Sequence, residues 1–515
     1  MNAGGRGRLR VALLHSRPVH GDVAANIEWI LRQAARAADA GAGLVVTAEM
    51  ALSGYGFDGR EQVEPHARTL DSPEVQALCR LSAERGVHCV LGLPERDPRT
   101  GLLYNTAVAT GPDGRVVARH RKVVLAERRW ATPGPARSEG LFDTPWGRVG
   151  MLVCADTYYG TPARAQVLRG ADLLVVPSTW PGGGVDPRRL WRARALENGV
   201  PVLGCNRTGR DAVLDCTGAR SYAADGRGRV LLDRRSPEAT TFLVDLPAAG
   251  GSAAGDGGRR NGARRPAPHG PGGPRRPEFW RSLGLQTDGP HPEYLWGPPP
   301  GGPVRVSAGA VDGTDPRNRP ADLTVVEILP AGPAAGRARD ALLPPPCSPA
   351  GSGPARRGPR PASGDGGPHV LVSRDGHGPF LAAAGTLERL GERPVLHRAL
   401  AGVRVAVAAP EHLAHPEAAA ALAREGCDLV AVLAERLDGR QWAVLAARCL
   451  ERVPVAVVTR AAAGVFVPPD GHEPWHGEFR RAPGGVRIDL DVAAGRHRRL
   501  FDRLDLEALC APSGT

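Results

Sequence analysis

Short apolar runs of strand length recur through the first half of the chain: Val11-Ala12-Leu13-Leu14, Leu44-Val45-Val46, Cys89-Val90-Leu91, Val149 to Val153, Leu173 to Val176 and Val200 to Leu203. Between several of them the spacing becomes helical. From Asn26 to Asp39, Ile27, Ile30, Leu31 and Ala34 share one face, and Val75, Leu78 and Leu81 do so from Glu74 to Arg85. Strands alternating with helices predict a layered α/β domain over residues 9–247, with residues 1–8 as a disordered lead-in.

Beyond that domain the pattern stops and restarts. Residues 248–276 hold no Leu, Ile, Val, Met or aromatic side chain, so nothing repays the entropy of ordering them, and they read as a linker. Apolar groups return at Phe279-Trp280 and Tyr294-Leu295-Trp296, which makes 277–300 a segment expected to dock on the first domain. Residues 301–510 then echo the first domain faintly but in order, around a second structureless insert at 349–367. Ala321 to Glu327 follows the pattern of Ala42 to Glu49, Gly391 to Arg398 that of Gly114 to Arg121, and Arg404 to Val407 that of Arg148 to Met151. Gly426 to Val430 matches Gly170 to Leu174, and Arg448 to Glu451 matches Arg194 to Glu197. Five matches in one order point to a tandem duplication with a shortened, degenerate second copy.

Composition narrows the classes. The 67 glycines and 49 prolines require long irregular stretches. No apolar run approaches the roughly 18 residues of a membrane-spanning helix, and Val11 to Leu14 is too short for a secretory signal. Nine cysteines, odd in number and scattered, fit a reducing cytoplasm better than a disulfide scaffold. The 15 histidines show no zinc-type spacing, and no metal or cofactor is expected. The net charge of +12 is concentrated in Arg259, Arg260, Arg264, Arg265, Arg275 and Arg276 of the linker. Without interleaved aromatics this reads as a solvated segment rather than a nucleic-acid surface. Of 66 basic residues, Lys122 alone is lysine and all the rest are arginine. Arginine cannot give up a proton and its fork is bulkier, so the exception asks what this site needs.

Three reactive groups follow apolar strands, the place where open α/β sheets often carry function: Glu49, Lys122 and Cys154. A carboxylate, an ammonium and a thiol can serve as base, electrostatic stabiliser and nucleophile. Taken singly, a strand-end cysteine is more often a buried hydrophobe and a strand-end Glu or Lys a solvated terminus. Their surroundings change the reading. Glu49-Met50-Ala51-Leu52-Ser53-Gly54-Tyr55, Arg121-Lys122-Val123-Val124-Leu125 and Pro145 to Gly150 leading to Cys154-Ala155-Asp156 resemble, in order, the three motifs of the nitrilase, or carbon–nitrogen hydrolase, superfamily. Gly21-Asp22 and Asn26, Tyr104-Asn105-Thr106-Ala107 with Gly114, Glu127 with Trp130 and Pro133-Gly134, Arg194 to Asn198, Asn206, and Gly218 with Ser221 extend the likeness over residues 9–247. His15 departs from it where a glutamine is common.

The resemblance implies a four-layer αββα sandwich and a Glu49–Lys122–Cys154 triad with Glu127 as accessory. It also implies an oxyanion site shared by Lys122 and the Ala155 N–H, a lowered Cys154 thiol pKa beside the ammonium, and a cleft bordered by Tyr55, Tyr158 and Trp180. The expected activity is an amidohydrolase opening a small carboxamide through a cysteine thioester. A nitrilase or an amide-forming acyltransferase shares that intermediate, and a non-catalytic scaffold of two such folds is the rival from another class. In the second copy Glu327 stands near the Glu position, Ala399 at the Lys position and Pro410 at the Cys position, so this copy is expected to be inactive, with Cys427 and Cys449 in its core. Cys205 and Cys216 match no role and read as core, and Glu197 as an ion pair or pocket wall. Since such domains commonly dimerise, an internal pseudo-dimer or an ordinary homodimer is expected.

Overall fold

The computed structural model of the chain describes residues 8–247 apart from 128, 138 and 182–184, residues 403–492 apart from 460, 469–477 and 484, residues 503–510, and six strands between 304 and 400. The expected linker 248–276, docking segment 277–300 and insert 349–367 lie outside the described residues, as do residues 1–7. The chain divides into two compact units: Met1–Gly284 with Glu473–His476 and Phe501–Thr515, and Leu285–His472 with Gly477–Leu500.

In the first unit the elements run β1 (Arg8–His15), α1 (Val23–Asp39), β2 (Leu44–Thr47), the single turn α2 (Arg60–Val63), α3 (Pro73–Arg85), β3 (His88–Arg96), β4 (Leu103–Thr110) and β5 (Val116–Arg121). They continue as β6 (Leu141–Thr144), β7 (Gly147–Met151), α4 (Gly160–Leu168), β8 (Leu173–Pro177), α5 (Pro187–Asn198), β9 (Val202–Cys205), β10 (Ser221–Ala224), β11 (Val230–Arg234) and β12 (Thr240–Pro247). Two six-stranded sheets result, ordered β12-β1-β2-β3-β4-β5 and β11-β10-β9-β8-β7-β6. Each has a parallel centre, β1-β2-β3 and β7-β8-β9, flanked by antiparallel strands. Parallel neighbours require crossover helices, and those helices cover the sheets.

The helices begin and end where their chemistry dictates. The Asp22 carboxylate caps α1 by accepting from the Ala25 N–H at 2.9 Å. Pro73 opens α3, which stops at Gly86 in the left-handed conformation. Ile30 and Ala34 of α1 and Val75 and Leu78 of α3 bury their faces on Ala12, Leu14, Val45 and Leu91 of the first sheet. Each large aliphatic side chain so buried contributes about 1.5–3 kcal/mol. Helices α4 and α5 pack on the second sheet. The sheets meet face to face, with Cys205 Sγ of β9 lying 3.2 Å from the Val46 carbonyl of β2. The layers are therefore α, β, β, α, with β2 and β8 back to back at the centre. Both strands are buried on both faces, which is why they read as continuous apolar runs.

The second unit contains β13 (Val304–Ala310), β14 (Thr324–Pro330), β15 (Val370–Asp375), β16 (Gly378–Ala383), β17 (Thr386–Arg389), β18 (Val395–Leu400), β19 (Val403–Ala408), β20 (Leu429–Leu433), β21 (Val455–Val458), β22 (Ala463–Val467), β23 (Glu478–Ala482) and β24 (Val486–Leu490). Its sheets are ordered β17-β16-β15-β14-β13-β24 and β18-β19-β20-β21-β22-β23. The latter has the strand order and directions of β6 to β11, with β19-β20-β21 parallel. Single hydrogen bonds recur as well. Asp172 takes the Arg148 N–H on its carboxylate at 2.9 Å, and Asp428 takes that of Arg404 at 2.8 Å. Leu174 N–H donates to the Pro201 carbonyl and Val430 N–H to that of Pro454, both at 2.9 Å.

Three expectations change here. Gly391 to Arg398 contributes β18, which occupies the place of β6 rather than β5, so Ala399 is not the counterpart of Lys122. Glu327 lies within β14, and β14 runs antiparallel to β13 whereas β2 runs parallel to β1, so Glu327 does not take the place of Glu49. Residues 503–510, expected in the second domain, belong to the first unit. There Asp505 forms a two-pronged pair with Arg169 (2.6 and 2.8 Å) and the helix Leu506–Cys510 packs on α4.

Candidate active site

Glu49 emerges two residues after β2, where Met50 turns the chain with φ +53°, a left-handed conformation that costs a residue with a Cβ about 1–3 kcal/mol. Gly92 of β3 makes room for this turn: a Cβ there would stand 2.3 Å from the Ala48 carbonyl and 3.0 Å from Glu49 Cα. Thr179, just past β8 on the other sheet, donates its N–H to Glu49 Oε2 at 2.8 Å and its hydroxyl to the Glu49 carbonyl at 3.0 Å.

Lys122 follows β5. Its N–H donates to the Asn105 carbonyl and its own carbonyl accepts the Gly134 N–H, both at 2.8 Å. Gly134 has to be glycine, since a Cβ would lie 2.1 Å from the Arg121 carbonyl. The Lys122 ammonium, 1% exposed, donates to Glu49 Oε1 at 2.7 Å and to Glu127 Oε1 at 2.6 Å. Asn105 Nδ2 reaches the same two oxygens at 2.8 and 3.1 Å, and the Tyr55 hydroxyl donates to Glu127 Oε1 at 2.5 Å. A compact ammonium fits between two carboxylates this close together, where a planar guanidinium would not.

Cys154 begins the short helix Cys154–Thr157 and is itself left-handed, with φ +44°. Its sulfur lies 3.9 Å from the Thr179 carbonyl and is 2% exposed. The Ala155 N–H, in the first turn, has no acceptor within the helix. Glu49 and Thr179, which reach each other across the sandwich, therefore both adjoin the turn at Cys154.

Charge in this closed space is unevenly held. Burial pushes the Glu49 carboxyl up to about 7 against the pull of the Lys122 ammonium. Burial works the same way on Glu127, but Lys122 outweighs it and keeps that carboxyl below its ordinary range. For Lys122 burial favours the neutral amine, yet Glu127 and Glu49 prevail and the ammonium is held well above the usual lysine value. The Cys154 thiol is pushed well up by burial and by the Glu49 charge, with Lys122 only offsetting part of this. The sequence-based expectation of a lowered thiol pKa is thus reversed: the resting sulfur is a thiol.

Among the cleft residues expected from sequence, Tyr55 stands at the carboxylates, its ring 5.9 Å from Lys122 Nζ. Tyr158 is buried and its carbonyl accepts from Arg194 at 3.3 Å. Trp180 packs its ring edge-on against Trp191 of α5, with centroids 6.3 Å apart, while its backbone is held by Asn206. Glu197 pairs with Arg194 at 2.6 Å, both fully buried. Sequence reasoning missed Thr179, which no spacing marks, and the direct role of Asn105, whose motif was visible but not its reach to both carboxylates.

The carbon–nitrogen hydrolase family matches residues 10–254. A probable nitrilase of Schizosaccharomyces pombe is 30% identical over 209 residues, covering 39% of this chain and 75% of that protein. A nitrilase of Pyrococcus abyssi is 33% identical, covering 37% of this chain and 71% of that protein, and omega-amidase NIT2 of Homo sapiens is 30% identical, with 41% and 79% covered. The chain belongs to the carbon–nitrogen hydrolase family and is a hydrolase of carbon–nitrogen bonds other than peptide bonds.

Proposed function

We propose that the first unit is a thiol-dependent amidase that hydrolyses a small carboxamide through a thioester on Cys154. The observation that carries this reading is the buried Lys122 ammonium bridging Glu49 and Glu127 at 2.7 and 2.6 Å, beside a cysteine held in a left-handed turn. The amidases among the relatives favour a carboxamide as substrate.

The Glu49 carboxylate takes the thiol proton as Cys154 Sγ bonds to the carbonyl carbon and the C=O π pair moves onto oxygen. Lys122 and the Ala155 N–H donate to that oxyanion, each such donor contributing about 3–4 kcal/mol. As the C=O bond re-forms, the C–N bond breaks, and protonated Glu49 hands its proton to the departing ammonia or amine. Glu49 then takes a proton from water, whose oxygen attacks the thioester. The C–S bond breaks, Glu49 returns the proton to sulfur, and a carboxylic acid leaves. A Glu49 pKa near 7 suits both directions of this transfer.

Mass spectrometry of the whole chain with a panel of carboxamides and nitriles tests the proposal. Ammonia release with an acyl adduct on Cys154, absent in Cys154→Ala, is expected. An adduct without ammonia release into water, or turnover persisting in Cys154→Ala, overturns it.

The second unit is proposed to be a degenerate copy of the first, with its opening strands re-paired. Shared strand order, shared hydrogen bonds and the buried Arg448 and Glu451, at the positions of Arg194 and Glu197, support this. It lacks the machinery: Lys122 is the one lysine of the chain, and register alignment of β19 with β7 sets Pro410 at the position of Cys154. The second copy is further proposed to replace a partner subunit. A monomer of the full chain by light scattering is expected, and a dimer of the full chain overturns it.

A further inference from the structure

The mechanism leaves one buried acid without a part. Asp156 is fully buried two residues beyond the nucleophile, and its carboxylate makes four contacts. Oδ1 accepts the N–H groups of Val123 (2.9 Å) and Val124 (2.8 Å). Oδ2 accepts that of Val153 (2.9 Å) and lies 2.7 Å from His120 Nε2. A carboxylate only accepts, so the histidine contact places the ring proton on Nε2. Val123 and Val124 directly follow Lys122, His120 is the last residue but one of the strand that delivers it, and Val153 directly precedes Cys154. One side chain therefore joins the segment carrying the ammonium to the segment carrying the sulfur, although the first belongs to one sheet and the second to the other.

We propose that Asp156 is a positioning residue for the hydrolytic reaction: it sets the distance and direction between the Lys122 ammonium and the Cys154 sulfur through the backbone amides on either side. This rests on the reading of Cys154 as the thioester nucleophile. The chemistry of the donors explains why a carboxylate is required. Three converging N–H groups and one ring N–H need four acceptor sites, which an ionised Asp has and an Asn does not. Whichever way an Asn amide is turned, its NH₂ faces at least one backbone donor, and the two segments lose their common anchor. A left-handed cysteine has little support of its own, so its geometry is open to such a change. Asp156 touches neither substrate nor proton in transit.

The test is Asp156→Asn in the full chain, with rates expressed per titrated Cys154 and with a carboxamide that the wild type turns over. A displacement of about 1 Å between reacting groups costs on the order of 100-fold. The expected outcome is a kcat lower by about that factor, a KM within about threefold of wild type, and an equally slowed appearance of the acyl adduct. A purely structural role would lower Tm and the titratable fraction but leave kcat per site unchanged, and that result overturns the proposal. If Asp156→Asn does not fold, His120→Phe keeps the ring but removes one of the four contacts. It is expected to lower kcat by about tenfold at constant KM, and a wild-type kcat there overturns the proposal. A wild type that forms no adduct on Cys154 defeats the amidase reading instead.

Discussion

Thr179 holds Glu49 twice across the interface of the two sheets, with its amide on the carboxylate at 2.8 Å and its hydroxyl on the backbone carbonyl at 3.0 Å. Glu49, the proposed base, is thereby fixed both at its carboxylate and at its backbone. Thr179→Val keeps shape and amide but leaves the buried Glu49 carbonyl without the hydroxyl, a loss of about 1–3 kcal/mol. A lower Tm and a kcat reduced by about tenfold are expected, with Thr179→Ser close to wild type. Calorimetry and steady-state kinetics on both variants check this.

The protonation pattern predicts the shape of the pH profile. In the proposed mechanism Glu49 must be ionised to take the thiol proton, and its pKa is raised to about 7. Below that pH it is protonated and inactive as a base, so kcat/KM should fall by about tenfold per unit as the medium becomes acidic. Lys122 and Cys154 titrate well above their ordinary values and add no limb in the neutral range. A pH–rate profile from 5 to 9 with no inflection near 7 would contradict Glu49 as the base.

Lys122→Arg should not behave as a conservative change. The ammonium is enclosed by Glu49, Glu127, Asn105 and Tyr55, and a guanidinium has to displace at least one of them. Activity should drop by at least about 100-fold, the usual loss when an oxyanion donor is removed. Lys122→Met, which leaves two carboxylates facing each other without a cation, should also destabilise the fold by about 3–5 kcal/mol. Chemical denaturation and the amidase assay distinguish the two effects.

The far C-terminal residues should matter for the stability of the first unit. Asp505 pairs with Arg169 while only 4% exposed, and Arg503 donates to the carbonyl of Gly134, the residue whose N–H holds Lys122. Asp505→Ala leaves the Arg169 guanidinium only the longer pair with Glu507 at 3.6 Å, and a Tm lower by several degrees is expected, equivalent to about 1–3 kcal/mol. Differential scanning calorimetry on this variant and on a chain ending at Leu500 measures it.

The parallel centres of both sheets could be read from residues alone, because strands buried on both faces leave uninterrupted apolar runs such as Leu44-Val45-Val46 and Leu173 to Val176. The antiparallel flanks were harder. Strand β6 is Leu141-Phe142-Asp143-Thr144, half exposed and without a clear period, and β11 is of the same kind. Glu49, Lys122 and Cys154 were legible because their neighbours form motifs. Thr179 was not, since it works largely through its main chain, which any residue but proline can supply. The thiol's raised pKa was missed because it depends on burial, which spacing does not report. The register expected for Glu327 failed because β14 and its neighbours are antiparallel, and local similarity between strands says nothing of their direction.

An enzyme whose one lysine is enclosed between two buried carboxylates carries a built-in reporter. Growth on ¹⁵N-lysine would place a single ε-nitrogen signal in the spectrum, and it would come from the group that faces both carboxylates. A lysine-specific protease likewise has one peptide bond to cut, between Lys122 and Val123, and both residues are buried. Cleavage therefore measures how often that centre opens, without any label at all.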